Sequence, residues 1–260
     1  MVAVRAKCLF CGSEASPLTK EHINPRWLLG YLGLPADDQM FQGVASSETG
    51  DLVEKPRVHS SFNFVHGHVC EACNSGWMSR LEAAAKPVLI PLIEGSREIE
   101  TLSNEEKRIV SKWAAKTAYL HTWAGPNKDP VQVDHVRQLY GDDGLPPRDV
   151  GVFLKQADYS KQTSYVQTGQ WPQLTPNEQP NGVRTPPDAY KIALQYRRLY
   201  MLVAFWPNSA SQLLTLKGMH TRIWAQGVVD ESWRCDLTEL AGPLGRIKTF
   251  ADSLAVLHAE

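Results

Sequence analysis

Two cysteine pairs, Cys8-x-x-Cys11 and Cys70-x-x-Cys73, constrain this chain more than anything else in its 260 residues. Two residues between cysteines let both thiolates of one knuckle point at a single ion. Two knuckles complete a tetrahedral shell of four sulfurs, for which Zn²⁺ is the default occupant. An iron–sulfur cluster, a redox pair and coincidence are the alternatives, and the ligand count of a closed structural site favours zinc. The spacer from Gly12 to Val69 is far longer than the roughly 15–20 residues of a simple ribbon, so something is inserted between the knuckles.

The remaining composition narrows the class. Apolar residues make up 43% and charged residues 21%, ordinary globular usage that argues against wholesale disorder. Lys and Arg number 27 against 28 Asp and Glu, a net charge of −1, which excludes a polycation but leaves room for a local basic groove. The longest apolar run, Tyr200–Trp206, is strand-sized, so no membrane span is expected. The opening MVAVRAKCLFCG has no signal-peptide core, and a cytoplasmic location is expected in place of a disulfide framework. The fifth cysteine, Cys235, reads as a small buried residue.

The order of elements predicts an α+β protein. Gly12 relieves a tight turn at the first knuckle. Residues 18–30 begin as a short strand and end as a turn into a short helix. Residues 33–60 are polar and loop-like. Ser61–Cys70 reads as a strand, and Asn74–Ala85 as a helix with Ser79, Arg80 and Glu82 toward solvent, ended by Pro87. Knuckle, strand, loop, strand, knuckle, helix is the order of a zinc-clamped ββα unit of treble-clef kind. Residues 1–86 are therefore expected to form a finger module and residues 87–260 a larger α+β body.

In that body, Ser103 and Glu106 form a capping box that opens a helix over 105–123, with an apolar stripe that buries Trp113. A second helix is expected within Pro130–Tyr140. Strands follow at Val150–Lys155, Ser164–Thr168, Tyr190–Gln195, Leu199–Phe205 and Thr221–Ala225, and a helix near Ile247–Leu257 comes last. The proline-rich stretch 170–188 is a surface connection. Lys112 and Lys116, one turn apart, and Arg197-Arg198 could contact phosphate. A solvated helix face and an edge-strand charge cluster are their plainer readings.

The chemistry sits between and just after the knuckles. Glu21-His22 lies on the first strand and Asn74 directly follows the fourth cysteine, offering a carboxylate, an imidazole and an amide oxygen on one frame. A zinc clamp alone needs none of them. Phosphodiester hydrolysis needs a base for water and a hard cation for the phosphorane and leaving oxygen. His22 can be that base near neutral pH, and Glu21 and Asn74 carry the oxygen donors that Mg²⁺ or Mn²⁺ prefers. As plainer readings, His22 is a surface histidine and Asn74 a helix N-cap.

At these residues the chain resembles the HNH endonucleases, the cysteine-bearing branch of the ββα-metal (His-Me finger) nucleases. The carriers are Cys8-x-x-Cys11, Glu21-His22-Ile23 with Pro25, and Cys70-x-x-Cys73-Asn74. The strings EHINPRWL and CNSGWMSRLE are similar to an uncharacterised bacterial subgroup with a Trp-rich helix downstream. The resemblance covers about residues 8–82. It implies DNA as substrate, His22 as general base, Glu21 and Asn74 as ligands of a catalytic Mg²⁺ or Mn²⁺, four cysteines on structural zinc, and a cut leaving a 5′-phosphate and a 3′-hydroxyl. The chain departs from the family at Glu21, where Asp is commoner, and at Val65, which holds the place of the middle Asn. Asn63, on Val65's face of a regular strand, is the first candidate to orient His22, and His68 the second if a bulge reverses the parity. The competing expectation is a zinc finger that binds nucleic acid or protein without cutting. Under either reading, residues 87–260 would sense, dimerise or dock a partner protein, as in an antiviral defence system.

Overall fold

The computed structural model describes residues 6–14, 16–42, 57–125, 131–147, 149–156, 164–170, 190–205, 214–216, 221–224 and 257–259. The chain is α+β. Its N-terminal part is built on strand β1 (Leu18–His22), which is followed by helix α1 (Arg26–Leu32) and a small hairpin, β2 (Gln39–Gln42) with β3 (Arg57–Ser60). Strand β4 (Val65–Cys70) then returns antiparallel to β1. Pro25 starts α1, where its missing N–H costs nothing, and Gly33 ends it at φ 71°. The arms β2 and β3 fall inside 33–60, a stretch expected to be loop throughout; residues 43–56 lie outside the described residues.

After β4 the chain turns through α2 (Glu71–Cys73) and a wide π-turn, Asn74–Met78, kinked at Gly76, into α3 (Ser79–Glu94). Helix α3 does not stop at Pro87. It runs through Pro87 and Pro91 and is closed by Gly95 at φ 72°, with Ser96 N–H reaching Pro91 O. The prolines are tolerated because their side of the helix is open: Ala83, Ala84, Lys86 and Pro87 are all exposed, so water can take the carbonyl each ring leaves unbonded. The opposite face, Leu81, Ala85, Val88, Leu89, Leu92 and Ile93, is buried at helical spacing.

Helix α4 (Asn104–Ala124) opens on the expected capping box, Ser103 accepting from Glu106 N–H and Glu106 from Ser103 N–H. It is the centre of the molecule. From Val110 to Thr122 every residue is buried, because α3 covers one side and the sheets the other. A short helix, α5 (Val133–Gln138), follows. Strands β5 (Val150–Gln156), β6 (Ser164–Gln170), β7 (Tyr190–Tyr196), β8 (Leu199–Phe205) and, after β9 (Leu214–Leu216), β10 (Thr221–Trp224) form an antiparallel sheet in the order β10-β5-β8-β7-β6. Strand β9 pairs instead with β11 (Leu257–Ala259). The five sheet strands match their expected spans to within two residues. Of the expected terminal helix only Leu257 is described, as the start of β11; Cys235 and residues 171–189 lie outside the described residues.

One apolar core runs from Cys8 and Phe10 through α3 and α4 to Phe205, and α3 itself crosses residue 86. Trp77, Met78, Leu81, Leu28 and Trp113 are buried in it, as expected, and Trp27 packs at its margin. Arg197 and Arg198 form the β7–β8 turn, and Arg197 (φ 47°) reaches back to Leu32 O while lying over the Tyr31 ring. Among the described residues no helix is long and apolar enough to cross a membrane.

Candidate functional site

The β1/β4 hairpin carries both candidate sites, one at each end. Where β1 begins and β4 ends, Leu18 pairs with Cys70 and the first knuckle folds over the strand pair, Leu9 N–H bonding to His68 O. The four Sγ atoms of Cys8, Cys11, Cys70 and Cys73 lie within 4.8 Å of one another. The Cys8–Cys73 and Cys11–Cys70 separations are 3.8 and 3.6 Å. A tetrahedral shell with metal–sulfur bonds of ~2.3 Å requires sulfurs about 3.8 Å apart, so the four cysteines could hold one metal ion, and the spacing is compatible with zinc. Cys70 N–H points at Cys8 Sγ at 3.3 Å, and the neighbouring Cys73 thiol, with that backbone donor, lowers the Cys8 thiol to about 4. Gly12 (φ 72°) makes the tight turn that brings Cys11 back toward Cys8.

At the other end, Glu21 and His22 are the last residues of β1, opposite His66 and Val65. Side chains alternate along a strand, so the two face opposite ways. Glu21 turns inward and is 8% exposed. His22 is half-buried on the outer side, where Arg26 Nε donates to His22 Nε2 at 3.3 Å. Arginine only donates, so the lone pair lies on Nε2 and the proton on Nδ1, the neutral ring. Partial burial and then Arg26 lower the His22 pKa below its usual value, which favours that neutral form. Arg26 escaped the sequence reading, although it stands four residues after His22 at the first position of α1.

Glu21 meets a cluster that nothing in the sequence announced. Lys116 Nζ, fully buried on α4, lies 2.5 Å from Glu82 Oε1 and 3.7 Å from Glu21 Oε1. Glu82 Oε2 accepts from two indoles, Trp27 Nε1 at 2.8 Å and Trp113 Nε1 at 2.9 Å. Glu82 is therefore no solvent-facing residue of α3, and Lys116 no member of a solvated face. Lys112 is buried too, bonded to Gly141 O and Asp142 O and set over Trp77, and burial lowers its pKa to about 8. The expected solvated stripe fails because α4 is enclosed on all sides. Two carboxylates share one ammonium here, and Glu82 has the shorter contact. Burial raises the Glu21 pKa, against the pull of Lys116.

Asn74 is not an N-cap, since the helical turn already begins at Glu71. Its Nδ2 donates instead to Thr19 Oγ1 at 3.0 Å, and that hydroxyl donates to Val69 O. Thr19 and Glu21 are two residues apart on β1, so Asn74 stands on Glu21's side of the hairpin. Asn63 does not share a strand face with Val65. It is exposed on a 3₁₀ turn, Ser61–Asn63, that precedes β4. A bulge does fall in β4, between the Thr19–Val69 and Glu21–His66 pairs, and leaves His68 exposed with its N–H on His66 Nδ1. His22's ring partner is Arg26, not Asn63 or His68.

Behind α1, Asn24 Oδ1 accepts from Tyr196 OH at 2.8 Å and from His121 Nε2 at 3.2 Å, joining the hairpin's exit to the sheet and to α4. Burial, helped by Lys116, lowers the His121 pKa to about 3, so this ring is neutral. The chain matches no family model, no characterised protein and no solved structure.

Proposed function

We propose that this chain is a metal-dependent endonuclease of HNH type, a zinc-held treble-clef finger that hydrolyses phosphodiester bonds of DNA. The observation that carries the reading is the seat of Asn74. The first residue after the second knuckle is tied to β1 through Thr19, on the side to which Glu21 turns, so an amide and a carboxylate are offered together. These oxygen donors would hold Mg²⁺ or Mn²⁺, and the under-compensated charge of Glu21 suits a cation. When bound, such an ion stabilises charge on the phosphorane and the leaving oxygen.

The chain's own groups do the rest. His22 takes the proton of the attacking water at Nε2, the atom that carries its lone pair. Arg26 is a phosphate ligand in waiting: an arriving phosphate draws the guanidinium to itself and uncovers that lone pair. Glu21 and His22 flank the end of β1 from two sides, so the scissile phosphate lies across the strand's end.

A zinc-held module that binds nucleic acid or protein without cutting is the second reading. It is favoured by the partners already in place, Lys116 at Glu21 and Arg26 at His22. Supercoiled plasmid incubated with Mg²⁺ or Mn²⁺ separates the two. The nuclease reading expects nicking that EDTA abolishes and that His22→Ala lowers about 10²–10⁴-fold, with DNA binding retained. Full metal-dependent nicking by zinc-loaded His22→Ala would remove the assigned base. Salt-sensitive DNA binding with no cutting under either metal would establish the binding module.

A further inference from the structure

Lys116 is the cation that faces Glu21 in the folded chain, 3.7 Å from its Oε1. It comes from the central helix, outside the stretch that carries the nuclease-like motifs, and its side chain is 0% exposed. Glu82 is fixed on one side of it, one carboxylate oxygen on the ammonium and the other on Trp27 and Trp113. Lys116 is therefore anchored by Glu82, while its 3.7 Å approach to Glu21 is the loose arm of the cluster. The three groups carry two negative charges and one positive.

We propose that Lys116 is a positioning residue that sets the cation affinity of Glu21, with Glu82 holding the lysine partly off it. This rests on reading Glu21 as a metal ligand. The wild-type cluster has a net charge of −1. Removing the ammonium takes it to −2, and a divalent cation binds more tightly. Neutralising Glu82 takes it to zero and leaves Lys116 facing Glu21 alone, so the cation binds more weakly. A lysine that merely supports the fold would make both changes act in the same direction, toward weaker binding.

The test is Mn²⁺ binding, followed by calorimetry and by the paramagnetic resonance of free Mn²⁺, on full-length zinc-loaded protein. Wild type, Glu21→Gln, Lys116→Met, Glu82→Gln and the Glu82→Gln/Lys116→Met double variant are compared. Lys116→Met is expected to tighten binding by about tenfold or more and Glu82→Gln to weaken it by a similar factor, since a buried unit charge a few ångströms away acts strongly. The double variant restores the wild-type charge and leaves one unpaired buried carboxylate where Lys116→Met leaves two, so it is the better placed of the two to fold. It should bind at least as well as the wild type and well above Glu82→Gln. Weakening in both single variants, or a double variant no tighter than Glu82→Gln, overturns the proposal while leaving Glu21 a ligand. Equal Mn²⁺ affinity in wild type and Glu21→Gln overturns the ligand assignment and this proposal with it.

Discussion

The two ends of the β1/β4 hairpin are held by opposite strategies. At one end four sulfurs from two short local turns converge on a point and could hold one metal ion. At the other, Glu21, Glu82 and Lys116 from β1, α3 and α4 pair inside the protein, with Trp27 and Trp113 supplying further donors to Glu82. The sulfur end depends on spacing within a few residues. The carboxylate end depends on the whole fold, because Lys116 reaches Glu21 only when α4 is seated. Local clamping and global clamping thus act on one pair of strands.

The largest expected effect comes from breaking the sulfur end. Cys70→Ser should lose the metal and melt the hairpin, because binding at such a site supplies roughly 10–16 kcal/mol in isolated zinc fingers and is coupled to folding. Zinc content together with amide exchange along Val65–Cys70 checks this. Retained metal and unchanged protection would show that packing on α4 suffices and erase the contrast between the ends.

Breaking the ionic end should cost less. Glu82→Leu leaves Lys116 buried beside Glu21 alone and should destabilise by about 3–5 kcal/mol in urea unfolding. Adding Lys116→Met should recover only the part of that loss that belongs to the ammonium, since Trp27 and Trp113 still lack their acceptor and Glu21 then lacks its cation. Recovery would sharpen the comparison: ions at this end would then tune the site, and those at the sulfur end would build it.

The smallest effect probes the joint between the hairpin and the body. His121 has a folded-state pKa near 3, below its ordinary 6.5, so the unfolded chain takes up the proton first. Its contribution is complete above about pH 6.5 and is lost as pH falls through the window toward 3, about 2 kcal/mol between pH 7 and pH 5. His121→Gln keeps an N–H for Asn24 and does not titrate, so its stability should vary less over that range. An unchanged pH profile in the glutamine variant would assign the acid sensitivity to other groups.

What could be read from the sequence divides along the same line. Cysteine spacing, the Ser103–Glu106 capping box and the strand-sized apolar run at residues 199–205 are local patterns, and the structure repeats them nearly residue for residue. Asn63 was misplaced because a 3₁₀ turn replaces the first residues of its strand, and alternation has no meaning there. Pro87 misled because proline's penalty was taken as that of a helix interior, whereas its open face lets water share the cost. Lys116, Glu82 and Lys112 were misjudged for a deeper reason. A charged residue at helical spacing looks the same in sequence whether the helix lies at the surface or at the centre. Only the tertiary arrangement decides, and here α4 is the centre. The Glu82–Trp27–Trp113–Lys116 cluster joins positions up to 89 residues apart, and no local pattern encodes that.

The wide turn at Asn74–Met78 links the two ends, since the chain passes through it on the way from Cys73 to Glu82. A helical residue advances the chain by about 100° and ~1.5 Å. Deleting one residue from this turn would keep the second knuckle and the whole of α3 intact in composition, yet rotate Glu82 a quarter turn or more away from Lys116 and bring Ala83 round in its place. The turn thus sets phase: between Cys73 and Glu82 the residue count is part of the site.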